Sequence, residues 1–543
     1  DYASRENQID NLLRAGVFID LYQVVRQGLC IGAPSYSIKK VERLYRPARS
    51  GDVGTAEDSI VFFDQWIESG EPADWKLSPI LSDIRDYNKD DCDSTLELAE
   101  WLRGEQQAAG IDWVDPELEV LEADAGPRSV AEELSTELLE GLPDKSEAFS
   151  EDDHVTQMLA WLLEFNRREN KPQWWKYFSR VTQTADELFE DNECLAGCVR
   201  TTTPPEPVER SLSYEYQFDT NQESKMVSGK RYSFAFDPSQ GITVDKINHD
   251  EGIVCLKWSK KNDAPPALLD LVPGKPFDKG GQTDSIYRTA MLWHTEKVLQ
   301  PAVRDFLLRM KPTLSGRSSG EPVVAKGADL KTETVRAVSD LQESTLCIQG
   351  PPGCGKTFVS AHAIIDLMRR GKRVGVTSNS HKAIINLLDT ISEEAEKENF
   401  DFTGVKIGEA GRLKGNPSFS FPSRGGKWIP GETGNELLAG GTSWAFCRED
   451  WAGKFDYLFI DEAGQVSIAA LVAMAPCASN LVIVGDQMQL EQPIQGTHPG
   501  DSAQSIMEYF LHDVATISSD RGILLNQSWR MHPDVCDLIS EGV

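Results

Sequence analysis

Positive charge is what the 543-residue chain has least of: 55 lysines and arginines stand against 86 aspartates and glutamates, a formal net of −31. Such a balance repels polyphosphates at long range, so the chain is no simple basic nucleic-acid-binding module. Binding depends on the local field, however, and an acidic total leaves room for a basic channel. The chain also lacks any run of eighteen apolar residues, and its first residues do not read as a basic stretch leading into an apolar one. The expectation is a soluble, cytoplasmic chain with no membrane partner. Its ten cysteines show no C-x-x-C pairing, the usage of reduced thiols rather than of a disulfide framework. Cys194 and Cys198 form the one close pair, and helix packing explains them better than a metal for which no further ligands stand nearby.

What is present is ordinary globular material, 40% hydrophobic and 26% charged, enough for three or more domains with full cores. Residues 1–104 mix strand-like and helical pieces, and Leu81, Ile84, Leu96, Leu98 and Leu102 suggest amphipathic helices at their end. Residues 105–200 carry much of the acidity: the segment from Asp115 to Asp153 reads as a solvated connector with short helices, followed by a helical pair broken near Pro172. Residues 201–275 turn to period two in "YEYQF", "RYSFAF", "GITVDKI" and "GIVCLKW", the pattern of a small antiparallel barrel or sandwich. A helical stretch and a loop occupy 276–328. From 329 on, "TLCIQ", "RVGVTS", "YLFID" and "LVIVGD" alternate with helices, which predicts an α/β fold with a doubly wound parallel sheet.

The chemistry is concentrated in that last region. "GPPGCGKT" has the spacing G-x-x-x-x-G-K-T directly after one predicted strand and before a helix, the context of a phosphate-binding loop. Glycines let backbone amides approach the phosphates, and the helix N-terminus adds partial positive charge. Lys356 is expected to reach the β and γ oxygens and Thr357 to ligate Mg²⁺, so ATP and Mg²⁺ are the expected cofactors. "YLFIDEAGQ" puts Asp461 and Glu462 at the end of a buried strand, where adjacent carboxylates are costly to hold unless a cation compensates. Asp461 is expected to hold Mg²⁺ through water, and Glu462 to orient or deprotonate the attacking water. "LVIVGDQMQLEQP" ends a further strand in Gly485, Asp486 and Gln489, with Gln489 a candidate γ-phosphate sensor.

"GPPGCGKT", "DEAGQ", "GDQMQLEQP" and "LNQSWRMHP" resemble motifs I, II, III and IV of superfamily 1 helicases, in the branch that moves 5′ to 3′. The resemblance implies a RecA-like domain over 329–520 that binds nucleotide through Gly350, Pro351, Pro352, Gly353, Cys354, Gly355, Lys356, Thr357 and Phe358. A second RecA-like domain would begin at 521–543, with Arg530 as an arginine finger, a class of residue worth about 10³ to 10⁵ in rate. Ser378, Asn379, Lys382 and Thr442 match segments that contact the nucleic-acid backbone, or else they are caps and turns. The period-two region and the helices after it match an accessory β-barrel and stalk. Two departures stand out. Thr334 takes the place of the family's adenine-contacting glutamine, and the chain runs from Asp1 to Val543 without an initiator methionine or the later motifs. We therefore expect an internal piece of a longer protein, one that binds nucleotide but unwinds poorly by itself.

At the other end, "YNKDDCDSTLELAEWL" carries Tyr87 and Asp91 at Y-x-x-x-D spacing, similar to the third motif of RNase H-like 3′ exonucleases and of RecB-type nucleases fused to helicases. By that likeness residues 1–104 are the C-terminal part of a nuclease domain. Asp91 is then a metal ligand, or else a solvated acid on a helix; Asp20 is a further acid of the site, or a cap. Two-metal hydrolysis needs several carboxylates, and the D-x-E pair expected on a first strand is not in the sequence. Cys354, near a helix N-terminus, is either an acidified, oxidisable thiol or, the favoured reading, a tolerated small residue. The whole reads as an ATP-dependent helicase or translocase on single-stranded nucleic acid, DNA in preference to RNA, within a nuclease-helicase fusion. An RNA-remodelling ATPase of the same architecture is the first alternative. A non-catalytic scaffold is the second, and intact Lys356, Asp461, Glu462, Gln489 and Arg530 argue against it.

Overall fold

A computed structural model of the chain describes residues 18–32, 36, 38–47, 56–112, 129–143, 149–208, 210–275, 280–318, 320–325, 327–422, 428–489, 493–512 and 514–529. The fold is α/β and separates into two units, residues 4–127 and residues 128–543.

In the first unit the described elements are helical: α1 (Leu21–Gly28), a single turn α2 (Ile38–Val41), α3 (Ala56–Ser69) and the long α4 (Pro79–Ala108). Ser78 caps α4 by accepting from the Leu81 N–H, and Pro79 stands at its first position, where a missing N–H costs nothing. Val25, Val41 and Leu98 form a small core. Leu96, expected on an apolar face, is 60% exposed.

The second unit opens with α5 (Val130–Glu140), α6 (Glu151–Leu163), α7 (Phe165–Thr182) and α8 (Ala185–Glu190). The structure departs from the expected connector and helical pair at two points. α5 is no solvated connector, because Ala131, Leu134 and Leu138 form a buried stripe at helical spacing; its acids occupy the other face. The helical pair breaks at Glu164 rather than at Pro172, which lies inside α7. The proline ring cannot bond the Arg168 carbonyl one turn back, and the Gly496 backbone packs against that carbonyl instead. One residue on, the Glu169 carboxylate accepts from the Gly496 N–H at 2.9 Å and from His498 Nε2 at 2.7 Å, so α7 is pinned to the loop 493–498.

The barrel consists of β1 (Leu195–Arg200), β2 (Glu206–Val208), β3 (Ser211–Gln217), β4 (Arg231–Phe234), β5 (Gly241–Asn248), β6 (Ile253–Ser259) and β7 (Leu268–Pro273). Six of these run antiparallel in the order β1-β7-β4-β5-β6-β3 and close where β1 pairs with β3, with β2 added beside β3. Closure removes the exposed edges, and alternate residues such as Tyr216, Phe234, Val244, Leu256 and Leu271 fill the interior. The barrel thus begins at Leu195, not at 201. The register shifts between Leu195 and Cys198, where Gly197 takes φ +64°, and this bulge interrupts the alternation that marks the other strands. Cys194 and Cys198 are buried, one beside the barrel and one inside it.

Helices α9 (Gly280–Glu296) and α10 (Pro301–Leu307) follow, and the Trp293 indole donates to Thr156 on α6. The rest alternates as the sequence predicts: α11 (Leu330–Ser339), β8 (Thr345–Gln349), α12 (Lys356–Arg369), β9 (Val374–Thr377), α13 (His381–Lys397), β10 (Gly404–Lys406), β11 (Phe419–Ser420), β12 (Leu438–Gly440), α14 (Ser443–Phe446), β13 (Phe455–Ile460), α15 (Ile468–Met474), β14 (Ala478–Gly485), α16 (Ile506–Leu511) and β15 (Gly522–Leu524). The strands form one parallel sheet in the order β11-β10-β12-β9-β13-β14-β8-β15. The strands β8, β12, β13 and β14 feed both faces. Leu346, Ile348, Phe459 and Val484 join one core with α12 and α13, while Cys347, Leu458, Ile460 and Ile483 join the other with α9 and α15. The boundary expected at 520 is also corrected, because β15 pairs with β8 and belongs to this first sheet. A three-residue apolar run has no periodicity by which to place it.

Candidate nucleotide site

All strands of the sheet point the same way, so their C-terminal ends share one edge, where open α/β sheets bind ligands. Gln349 of β8 lies level with Gly485 of β14, and Ile460 of β13 with Ile483 of β14 and Thr377 of β9. The loop after β8 therefore sits one strand away from the residues that follow β13. Gly350 and Gly485 are tied directly, the Gly350 N–H donating to the Gly485 carbonyl at 3.0 Å.

The loop turns into α12 through Gly353 at φ +83° and Gly355 at φ +88°, backbone that side chains rarely adopt. Lys356 is buried, and its ammonium donates to the Gly350 carbonyl at 2.6 Å and the Pro351 carbonyl at 3.2 Å. It is folded over the loop from which it would reach a phosphate. Thr357 and Gly353 are half-buried, Pro351, Pro352 and Phe358 are exposed, and Gly350 and Cys354 are buried. The acidified-thiol reading of Cys354 is overturned, since burial pushes that thiol up and the Lys356 ammonium offsets this only in part.

Asp461 is 6% exposed. Burial pushes its carboxyl up to about 6, the neighbouring Glu462 charge adds to the rise, and the Glu462 N–H and the Lys356 ammonium pull it back only partly. The effect of Lys356 on Asp461 means that the two motifs, 105 positions apart in sequence, occupy one electrostatic neighbourhood. Glu462 takes the left-handed conformation at φ +52°, rare for such a residue. Its Oε2, with the hydroxyls of Ser378 and Ser528, is buried without a hydrogen-bond partner among the described residues. Buried polar atoms left in this way cost stability, and their gathering at one edge of the sheet is what a site for a polar ligand requires. A divalent cation with its phosphates fits this donor set. Among the described residues no cluster of three or more His, Cys, Asp or Glu could hold a metal alone, and Mg²⁺ is ordinarily held by one or two protein groups plus phosphate oxygens.

The remaining expected residues are placed less closely. Gln489 is half-buried in the turn after β14, while Asp486 is buried and accepts from the Met488 N–H. Gln487, not singled out from sequence, donates to the Val514 and Ala515 carbonyls at 3.0 Å. Arg530 lies outside the described residues, but the Trp529 N–H just before it donates to the Gly353 carbonyl at 2.8 Å. Thr334 is wholly buried and bonds back to Leu330 within α11. Along the same edge, the Asn379 amide donates to the Gln465 carbonyl, Lys382 is exposed, and Thr442 stands at the N-cap of α14 without using its side chain to cap it. Lys406 went unnoticed in the sequence. It is fully buried, donates to the Ile407 carbonyl at 2.6 Å and meets His381 Nδ1 at 3.0 Å under the first turn of α13. Burial brings its ammonium down to about 8 although Glu409 opposes this. Its sole signal is a lysine within the apolar "VKI".

In the first unit Asp20 is the N-cap of α1, accepting from the Tyr22 N–H at 2.9 Å. Asp20 also lines a cavity of about 360 Å³ together with Tyr22, Val25, Thr95 and Leu98. Asp91 is half-buried on α4, one turn before Thr95, whose hydroxyl donates to the Asp91 carbonyl. The neighbouring Asp90 is paired with Arg46 at 3.3 Å.

Comparison with known proteins divides the chain similarly. Residues 2–103 match the RNase H superfamily, and residues 334–494 match an AAA domain. The DNA replication ATP-dependent helicase/nuclease of Schizosaccharomyces pombe is 22% identical over 255 residues, 44% of this chain and 17% of the relative. The protein of the same description from Saccharomyces cerevisiae is 26% identical over 159 residues, 27% of this chain and 10% of the relative. The chain thus aligns with less than a fifth of the length of either. Among solved structures, an arterivirus helicase covers 68% of this chain and 59% of its own at 14% identity, with a TM-score of 0.27, too low to support an argument.

Proposed function

We propose that this chain is the nucleotide-binding part of an ATP-dependent motor that moves on single-stranded DNA, within a protein that also carries an RNase H-like nuclease domain. The observation that carries the proposal is the sheet register, which sets the phosphate loop after β8 one strand from Asp461 and Glu462 after β13, with Gly350 tied to Gly485 at 3.0 Å between them. In this reading Lys356 leaves the Gly350 and Pro351 carbonyls for the β and γ oxygens of ATP. Thr357 and Asp461 hold Mg²⁺, which when bound neutralises phosphate charge. Glu462, with one carboxylate oxygen lacking a partner among the described residues, positions water and takes its proton. Gln489 senses the γ-phosphate, Arg530 acts as the arginine finger, and Ser378, Asn379, Lys382 and Thr442 face the strand. DNA is favoured over RNA because both yeast relatives are described as DNA replication enzymes. For Asp91 we propose a metal ligand of the nuclease domain.

Titration of the chain with a fluorescent ATP analogue, with and without Mg²⁺, tests the core of this. Saturable Mg²⁺-dependent binding that falls by about 10²-fold or more in Lys356→Ala is the expected result. Absence of binding, or binding indifferent to Lys356→Ala, would remove the ATP site and the motor with it.

A further inference from the structure

Far along α7 from the Glu169 anchor, the helix and the barrel enclose a cleft of about 720 Å³. Its helical wall is Trp174, Tyr177 and Phe178, one face at i, i+3 and i+4. Trp174 and Phe178 are stacked with centroids 5.4 Å apart and planes at 25°, and Tyr177 stands edge-on to Trp174 at 5.7 Å. Phe178 remains 47% exposed. Trp174 and Tyr177 are half-buried, so the three rings leave aromatic surface on the cleft wall for an occupant.

The opposite wall supplies cations. Lys275, at the end of β7, holds its ammonium 5.3 Å from the Trp174 ring centroid. Arg231 on β4 lies across Gly241, where any added Cβ would come within 2.3 Å of its Nε; the glycine is the floor on which the guanidinium rests. Both cationic residues are exposed. Among the described residues Asp237 is an acid near this wall, raising the Tyr177 phenol after burial does so, and its carboxylate accepts from Ser239 and Gln240. In a chain of net charge −31, two exposed cations without a salt bridge among the described residues frame the stacked aromatics, a local reversal of sign.

From this cleft we infer a second binding site for single-stranded nucleic acid, outside the parallel-sheet edge, with bases stacking on Trp174 and Phe178 and phosphates held by Arg231 and Lys275. The combination of a π-face and a cation is what an unpaired strand uses, since every base offers a ring and every linkage a charge. The inference rests on the nucleic-acid reading above. It adds that the strand is also gripped on α7, the helix whose Glu169 holds the loop that follows Gln489.

The test uses the 543-residue chain with a fluorescein-labelled 15-mer of thymidylate, an abasic strand of equal length, and the fluorescent ATP analogue as a monitor of the other site. Trp174→Ala should weaken binding of the thymidylate strand about 5- to 150-fold. Arg231→Glu with Lys275→Glu, both on exposed positions and so safe for folding, should weaken it further at low salt and flatten the salt slope by about 1.4. Nucleotide binding should be unchanged in every variant. Equal strand affinity in parent and variants overturns the cleft while leaving the ATP site standing. Abasic binding as tight as thymidylate binding overturns it as well, as does an equally charged polyglutamate peptide that binds as tightly as the strand. Loss of nucleotide binding in the parent chain strikes the earlier reading instead.

Discussion

Two places in the molecule offer carboxylates for chemistry, and they do so in opposite ways. Asp461 and Glu462 sit at the end of a strand with neighbours on both sides, where the sheet removes water and, among the described residues, Lys356 from the next loop but one supplies compensating charge. Asp90 and Asp91 sit half-buried on a 30-residue helix, where Arg46 pairs with Asp90. The first arrangement is costly when nothing is bound, and it therefore stores an affinity for a cation. The second is inexpensive at rest and supplies little by itself. A parallel sheet thus prebuilds its site, whereas a helix only presents ligands to partners brought by other segments.

The largest effect should come from breaking the buried side of this comparison. Glu462→Gln keeps shape and burial but cannot take a proton, so ATP hydrolysis should fall by about 10²- to 10⁴-fold while Mg²⁺-dependent nucleotide binding stays within a few-fold. Asp91→Asn, the matching change on α4, should leave both untouched. Steady-state hydrolysis and nucleotide titration on the two variants separate the cases, and equal losses in both would end the distinction.

Next in size is a stability effect whose sign depends on pH. Asp461 rises from 3.8 to about 6 in the folded chain, so the folded state holds this proton more tightly than the unfolded state does. The group costs nothing below about pH 4. The cost grows through the window from 4 to 6, and is constant above it, at about 3 kcal/mol. Asp461→Asn should therefore raise the melting temperature at pH 7.5 and leave it unchanged at pH 4, and saturating Mg²⁺ with nucleotide should stabilise the parent but not the variant. A variant less stable than its parent at pH 7.5 would show that Asp461 already has its compensating charge in the folded chain.

The two regions also differ in how far they could be read from sequence. Around the sheet, glycine spacing, strand-end carboxylates and apolar runs act locally, so Gly350 to Phe358, Asp461 and Glu462 were legible with their elements. Long-range geometry was not. That Lys406 lies under α13, that Gln487 rather than Gln489 ties down the turn, and that β15 returns to the first sheet all depend on which segments meet. The β1 strand was hidden by its bulge at Gly197, and α5 by acids on its outer face that masked a regular apolar stripe. Pro172 misled because a helix interior tolerates proline when another backbone packs against the orphaned carbonyl. In the first unit the Tyr87 and Asp91 spacing was visible, but spacing on one helix cannot say which other acids join it.

The smallest effect sharpens the comparison where it is least settled, at Asp20. This residue caps α1 and lines a cavity with Thr95, one turn beyond Asp91, so a cap and a metal ligand make different demands on the same side chain. A cap needs only a short acceptor, and Ser, Asn and Asp serve almost equally, whereas alanine costs about 1 kcal/mol. A metal ligand needs the charge, and neither Ser nor Asn replaces it. Amide exchange over Leu21–Gly28 should therefore quicken about fivefold in Asp20→Ala and return to the parental rate in Asp20→Ser, with no change at α12 in either. If added Mn²⁺ slows exchange in the parent but in neither variant, the carboxylate itself is engaged, and the first unit builds a charged site around Asp20 as the sheet does around Asp461.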